Sequence, residues 1–350
     1  MTAYSGLIHK YRKLLPIADQ AIVTLNEGDT PLLRSHRLAE HIGLEADLYL
    51  KFEGLNPTGS FKDRGMTYAI SKAVEAGSKV VICASTGNTS ASAAAYAARA
   101  GLQAIVLIPK GKIALGKLSQ AMMHGAKVIQ INGNFDEALQ AVVAIGKDHP
   151  ITIVNSVNPH RITGQMTAAF EVAEQLGGIA PDFHCLPVGN AGNITAYWLG
   201  YNKVREGKLI KSLPVMMGFQ AAGAAPLVKG KPVKSPETIA SAIRIGNPAS
   251  WDGAIKARDE SGGLIDSVTD KEILKAYKLL AQLEGYFCEP ASAASVAGLI
   301  KHRNRFTKGQ KIVCTLTGHG LKDPDTAVTN SVKPVSCSAR VSDIVKKIGF

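Results

Sequence analysis

The chain is poor in cysteine: Cys83, Cys185, Cys288, Cys314 and Cys337 are the only five in 350 residues, an odd number, widely spaced and mostly in or beside apolar runs. That pattern argues against a disulfide framework or a C-x-x-C metal site and predicts buried thiols in a reducing compartment. The nine histidines show no H-E-x-x-H or comparable spacing, so no metal centre is expected. No uninterrupted run approaches the ~20 apolar residues of a membrane span. Met1 to Lys13 contains no apolar segment of the kind a secretion signal needs. The expectation is a soluble cytoplasmic protein without a membrane partner.

Long blocks of one charge are also missing. Lys and Arg outnumber Asp and Glu by 40 to 28, a net +12, but no run of five basic residues occurs. The basic segments Lys229 to Lys234 and Lys301 to Arg305 are not interleaved with aromatic residues. Nucleic acid is therefore not an expected partner, and the dispersed charge suits a solvated face plus a small anionic ligand.

What the chain does have is alternation. Short apolar runs at 79–84, 104–108, 127–131, 151–154, 183–188, 215–219 and 311–316 read as buried strands separated by helical segments. Gly77, Gly101 and Gly125 each follow a helical stretch, where a C-terminal cap belongs. This is an α/β pattern with largely parallel sheets. A chain of this length favours two domains sharing one site: a smaller one over 54–150 and a larger one made of 1–53 plus 151–350.

The polar segments between strands carry the chemistry. Asn56-Pro57 and Thr58-Gly59 end an apolar strand bearing Leu48, Leu50 and Phe52, and Ser60 suits the N-cap of a helix starting near Phe61. Lys62 then falls in the first helical turn, where the macrodipole disfavours a cation. A lysine held as a covalent imine to an aldehyde cofactor escapes that conflict, and the bland alternative is a solvated surface lysine. Ser85-Thr86-Gly87-Asn88-Thr89-Ser90 follows the strand ending at Ala84, either as an anion site at a helix N-terminus or as a plain capping turn. Gly189-Asn190-Ala191-Gly192-Asn193 follows the strand ending at Val188 and lets backbone amides approach a phosphate. Its spacing is neither G-x-G-x-x-G nor a Walker loop, so one phosphate fits better than NAD or ATP. Asn155 to Arg161 adds polar donors and an arginine able to fork onto a phosphate. Thr317, at a strand end in a glycine loop, places a hydroxyl where a heteroaromatic nitrogen could meet it.

Together these segments resemble the fold type II pyridoxal phosphate enzymes, tryptophan synthase β-like in architecture, and among them the threonine synthase family. The likeness extends over nearly the whole chain, through Glu27 to Leu32, Gly59 to Gly65, Ser85 to Ser90, Asn158 to Arg161, Gly189 to Asn193, Glu289 to Ala294 and Leu316 to Asp323. The asparagine-bearing phosphate loop and the Thr-Gly-His-Gly-Leu-Lys-Asp ending separate it from the dehydratases, which resemble a tetraglycine loop instead. The resemblance implies pyridoxal 5'-phosphate as cofactor, with Lys62 as its covalent anchor and the catalytic base. It implies Asn88 on the cofactor's phenolic oxygen, the amides of Gly189, Asn190, Ala191, Gly192 and Asn193 on its phosphate, and Thr317 on its pyridine nitrogen. Ser85, Thr86 and Thr89 are implied to receive the substrate carboxylate and part of its phosphate, with Asn155, Ser156 and Arg161 supplying the rest. Lys112 and Lys117 are further candidates for phosphate capture. The implied reaction converts O-phospho-L-homoserine and water into L-threonine and phosphate, the last step of threonine biosynthesis, in a homodimer. Long members of the family carry an N-terminal extension that responds to S-adenosylmethionine, and the chain starts within a few residues of the core, so such regulation is not expected. Two rivals stand beside this reading: a threonine or serine dehydratase on the same fold, and a non-catalytic anion-binding regulator, which shares the anion loops but has no need of Lys62.

Overall fold

The computed structural model describes residues 4–110 and 115–350. Ten strands are present among them: β1 (Leu32–Ser35), β2 (Asp47–Phe52), β3 (Val80–Ala84), β4 (Gln103–Pro109), β5 (Lys127–Ile131), β6 (Ile151–Ile153), β7 (Phe183–Pro187), β8 (Val215–Ala221), β9 (Leu264–Val268) and β10 (Lys311–Leu316). They form a four-stranded sheet in the order β5-β4-β3-β6 and a six-stranded sheet in the order β1-β2-β10-β7-β8-β9. Every pairing is parallel except that of β1 with β2. β6, just past residue 150, pairs with β3 in the smaller sheet. The fold is that of an α/β protein with mostly parallel sheets, as expected from the alternation.

Helices cover both faces of each sheet, which is why β3 and β10 read as near-continuous apolar runs. Leu48, Leu50, Cys314 and Leu316 pack on one face of the larger sheet against Val296 and Leu299 of the helix Pro290–Lys301 and Ile273 and Leu280 of the helix Asp270–Glu284. Val313 and Leu186 face the other way, among Ile194, Tyr197 and Tyr201 of the helix Gly192–Glu206. In the smaller sheet, the alanines of the helix Asn88–Arg99 lie against Val81, Cys83 and Val106, and Ala138 and Val142 close the opposite face over Ile82 and Leu107. Gly77, Gly101 and Gly125 do sit past helix ends, with φ of 75°, 67° and 80°. Cys83, Cys185, Cys288 and Cys314 are buried free thiols, and Cys337 is exposed. Among the described residues no helix is long and apolar enough to cross a membrane.

One buried ionic network determines where the helix Lys62–Glu75 begins. Arg64 donates to Glu53 from Nε (2.6 Å) and Nη2 (2.8 Å), and to Glu171 from Nη1 (2.8 Å) and Nη2 (2.6 Å). Lys51 of β2 donates to Glu171 (2.9 Å), to Gln175 (2.8 Å) and to the Thr30 carbonyl (2.7 Å). All four charged side chains are buried. The next residue along from Lys62, Asp63, is also buried and accepts from Thr58 N (2.7 Å), Thr58 Oγ1 (2.6 Å) and Ser92 Oγ (2.6 Å). The first turn of this helix is therefore tied to both sheets.

Candidate active site

Loops leaving the carboxyl ends of β3, β6, β7 and β10 converge on a cleft of about 300 Å³. This is where open parallel sheets place their ligands. Lys62, Ser85, Thr86, Asn88, Thr89, Asn155, Ser156, Arg161, Gly189, Asn190, Ala191, Gly192, Asn193 and Thr317 all line it. Lys112 and the side chain of Lys117 lie outside the described residues.

The helix starts at Lys62 itself, with Phe61 in the preceding position. The Ser60 hydroxyl, expected as the cap, is 3.4 Å from Lys62 N, too long for a strong N–H···O bond. The half-buried Lys62 amine lies 4.3 Å from the centroid of the Phe61 ring. Burial pushes its pKa down to about 7, the Arg161 charge pushes the same way, and the Glu289 carboxylate opposes them. Near neutral pH a large share of this amine is then unprotonated and nucleophilic. Labelling of Lys62 in the cofactor-free protein by an amine-directed acylating reagent, read by mass spectrometry, should rise with pH around a midpoint of about 7. A midpoint near the ~10.4 of a solvated lysine would show that the amine is not desolvated.

Arg161 reaches the cleft because two helices touch backbone to backbone. A Cβ at Gly65 would fall 2.6 Å from the Arg161 carbonyl oxygen, and one at Gly164 would fall 2.2 Å from that of Arg64. Arg161 is buried and donates from Nη1 to the Val154 carbonyl (2.8 Å), while its Nε has no partner among the described residues. Burial lowers its pKa to about 10, so the guanidinium is still charged at neutral pH. A buried cation without a hydrogen-bonded carboxylate is costly unless a ligand brings the anion.

The loop after β7 is built as an anion cradle. Ala191 sits in the left-handed region at φ 64°, a conformation that costs a residue with a β-carbon about 1 kcal/mol. The helix Gly192–Glu206 follows at once, so its first N–H groups point out of the helix end toward the cleft. Asn193 Nδ2 is buried with no partner among the described residues. The Asn190 amide braces the loop, donating to Ser156 Oγ (2.6 Å) and accepting from Ala249 N (2.7 Å).

The remaining predicted residues divide by what their side chains already hold. Ser85 Oγ accepts from Gly87 N and Ser90 N, each at 3.3 Å, which leaves its own proton to donate. Asn155, expected to serve the substrate, has both ends of its amide on the Ala84 backbone, accepting from N and donating to O at 2.9 Å each. It secures the start of the Ser85–Thr89 loop. Thr317 Oγ1 is 3.1 Å from Ser292 Oγ, which also accepts from Gly318 N (2.9 Å). Phe61 N donates to the Thr317 carbonyl (3.0 Å), linking the residue before Lys62 to the end of β10.

Three contributors had no role assigned from the sequence. Glu289 lines the cleft and accepts from Asn88 Nδ2. Lys322 lines it too, donating to the Thr58 carbonyl (3.1 Å) and to Gln120 Oε1 (2.6 Å). Both stand inside the segments Glu289 to Ala294 and Leu316 to Asp323, so their presence was visible but their targets were not. The stretch Ser241–Ile245 forms another wall, and its irregular sequence carries no signal.

Residues 23–318 match the model of the family described as pyridoxal-phosphate dependent enzyme. The chain is 58% identical over 350 residues to the threonine synthase of Synechocystis, covering 99% of this chain and 91% of that one. It is 57% identical over 353 residues to the threonine synthase of Mycobacterium leprae, covering 99% and 97%. Among solved structures it resembles maize serine racemase with a TM-score of 0.74 at 21% identity, over 93% of this chain and 97% of that one, a likeness of fold.

Proposed function

The chain belongs to the pyridoxal-phosphate dependent enzyme family, and from that premise we infer that it catalyses the reaction of its threonine synthase relatives. It is a carbon–oxygen lyase that converts O-phospho-L-homoserine and water into L-threonine and phosphate. One observation carries the reading in the geometry: beside the Gly189–Asn193 cradle, the cleft that holds Lys62 contains a second anion-binding group, the buried Arg161. A cofactor phosphate uses the first. A dehydratase substrate, threonine or serine, brings no phosphate for the second.

The residues present fit the cofactor. The unpartnered Asn193 Nδ2 and the helix N-terminus behind Ala191 suit a phosphate, and the Thr317 hydroxyl suits a ring nitrogen that need not be protonated. In our reading the backbone of Gly189, Asn190, Ala191, Gly192 and Asn193 holds the phosphate, Asn88 the phenolic oxygen, Thr317 the ring nitrogen, and Lys62 the aldehyde carbon through a covalent link at Nζ. When bound, the cofactor supplies an electron sink for charge developing at the substrate α-carbon.

Ser85, Thr86 and Thr89 orient the substrate carboxylate, and Ser156 and Arg161 hold its phosphate, with Asn155 acting through Ala84. The neutral Lys62 amine takes the proton from the α-carbon and hands it back to the conjugated system that the bound cofactor would supply. Only then, neutral again, does it take one from the β-carbon, which it carries to the γ-carbon. Phosphate leaves from the γ-carbon, where a proton is delivered. Water adds its oxygen to the β-carbon while its proton passes to the departing phosphate, and Lys62 returns a proton to the α-carbon. Arg161 keeps the phosphate in place through this exchange, which favours hydration over release of an unsaturated product. The same reading assigns the smaller and larger units to the two sheets and extends to a cytoplasmic homodimer, both on the resemblance.

Purified holoenzyme should form threonine and phosphate from O-phospho-L-homoserine and should not consume threonine. The reverse pattern identifies a dehydratase. Arg161→Ala should raise KM for phosphohomoserine by about a hundredfold, with cofactor affinity little changed. Equal losses in the two would remove Arg161 from the substrate phosphate.

A further inference from the structure

Glu289 is a buried carboxylate with no part in the scheme above. It stands at the N-terminus of the helix Pro290–Lys301 but makes no side-chain cap. Its two oxygens instead accept from Asn88 Nδ2, at 3.0 and 3.2 Å. The surrounding backbone is shaped to admit it: a Cβ at Gly318 would fall 2.3 Å from Glu289 Oε1, and Glu289 N donates to the Gly318 carbonyl at 2.9 Å. The groups facing the carboxylate are Lys62 from the helix at the cleft floor, Lys322 and Asp323 from the turn after β10, and the neighbouring Cys288 thiol. Burial pushes the carboxyl up, and the Asn88 hydrogen bond and the two lysines work against that.

Both Glu289 oxygens accept from the nitrogen end of the Asn88 amide, so the carboxylate faces that end and not the amide oxygen. Asn88 Nδ2 carries two protons. One is spent on Glu289 and the other remains for the cleft. Without the carboxylate the amide is free to turn its oxygen inward, and an oxygen repels the phenolic oxygen that this position is read to bind.

We propose that Glu289 is a positioning residue for the cofactor: it locks the Asn88 amide so that its free N–H is presented to the phenolic oxygen. The inference rests on the reading of Asn88 given above and adds the group that orients it.

The test uses resting holoenzyme without substrate, reading the pH profile of the bound cofactor's visible absorbance and the rate at which cofactor is lost on dialysis. Asn88→Ala should move the apparent pKa of the band by about half a unit or more and loosen the cofactor by about tenfold. Glu289→Gln keeps the volume but can offer either end of an amide, and it should shift both readouts in the same direction. The Asn88→Ala/Glu289→Gln double variant should go no further than Asn88→Ala alone, because Glu289 acts through Asn88. Glu289→Asp, an acceptor one methylene short, should fall between Gln and wild type, and Gly318→Ala should mimic it by crowding the carboxylate. Additive effects in the double variant, or a Glu289→Gln profile equal to wild type, overturn the proposal and leave the Asn88 reading standing. An Asn88→Ala profile equal to wild type overturns both.

Discussion

Lys62→Ala is expected to lower threonine formation by about four orders of magnitude or more without lowering the stability of the fold. The loss is large because one amine performs two jobs, holding the cofactor and moving protons at the substrate's α- and β-carbons. The fold should not suffer, because the amine is desolvated at the start of a helix and beside the Arg161 charge, so its removal relieves an unfavourable placement. Lys62→Arg sharpens the argument. It keeps a cation at the site, but a guanidinium does not give up its proton near neutral pH, so this variant should be as inactive as Lys62→Ala and less stable. Turnover assays and thermal melts of the two variants check both halves. Lys62→Ala within tenfold of wild type would mean that another group is the base.

Most of the sequence-derived strands, β3, β7, β8 and β10 among them, are largely buried on two faces and therefore written in apolar residues. β5 and β6, by contrast, are edges of the smaller sheet, more exposed, and betray themselves only by their β-branched residues. β1 and β9 were not anticipated. They are the two edges of the larger sheet, and their sequences, Leu-Leu-Arg-Ser and Leu-Ile-Asp-Ser-Val, keep partly exposed polar residues that blur any period. The loops that form the cleft were legible for a related reason: each glycine- or hydroxyl-rich segment directly follows a buried strand, and parallel topology brings those ends together. What stayed hidden is pairing at long range. Nothing in Ser85 to Ser90 indicates that the Asn88 amide meets Glu289, 201 residues further on, or that the Asn155 amide is consumed by Ala84. Such contacts depend on register between sheets, which local pattern does not encode. The Ser60 cap failed on a smaller scale, since the turn that binds Asp63 from Thr58 already orders the helix start.

Glu171→Ala is expected to destabilise the protein by about 3–5 kcal/mol, far more than any surface charge change, and to cost activity before it unfolds the chain. Glu171 accepts from Arg64, from Lys51 and from Asp29 N at 2.8 Å, so its removal strands two buried cations with only Glu53 as counter-charge. Burial alone pushes its carboxyl up, but the charges of Arg64 and Lys51 overcome this and hold the group well below the usual carboxylate range. A depressed folded-state pKa means that its contribution is complete above the unfolded value of ~4.3 and is lost only as pH falls through the lower folded value. The gap in stability between wild type and Glu171→Gln should accordingly be constant from pH 8 to about 5 and narrow under stronger acid. Glu174 provides the control: its pair with Lys10 at 2.7 Å is about one-third exposed, so Glu174→Ala should cost less than about 1 kcal/mol. The functional effect follows from position. Arg64 lies two residues beyond Lys62 on the same first turn, so loosening its anchor to Glu171 displaces the amine from Arg161 and Glu289 while the sheets remain intact. Denaturant titrations of the two variants, run alongside turnover at a temperature where each remains folded, separate these effects. Similar denaturation midpoints for Glu171→Ala and Glu174→Ala would mean that the network contributes no more than a surface pair, and that the placement of Lys62 depends on Asp63 and Thr58 instead.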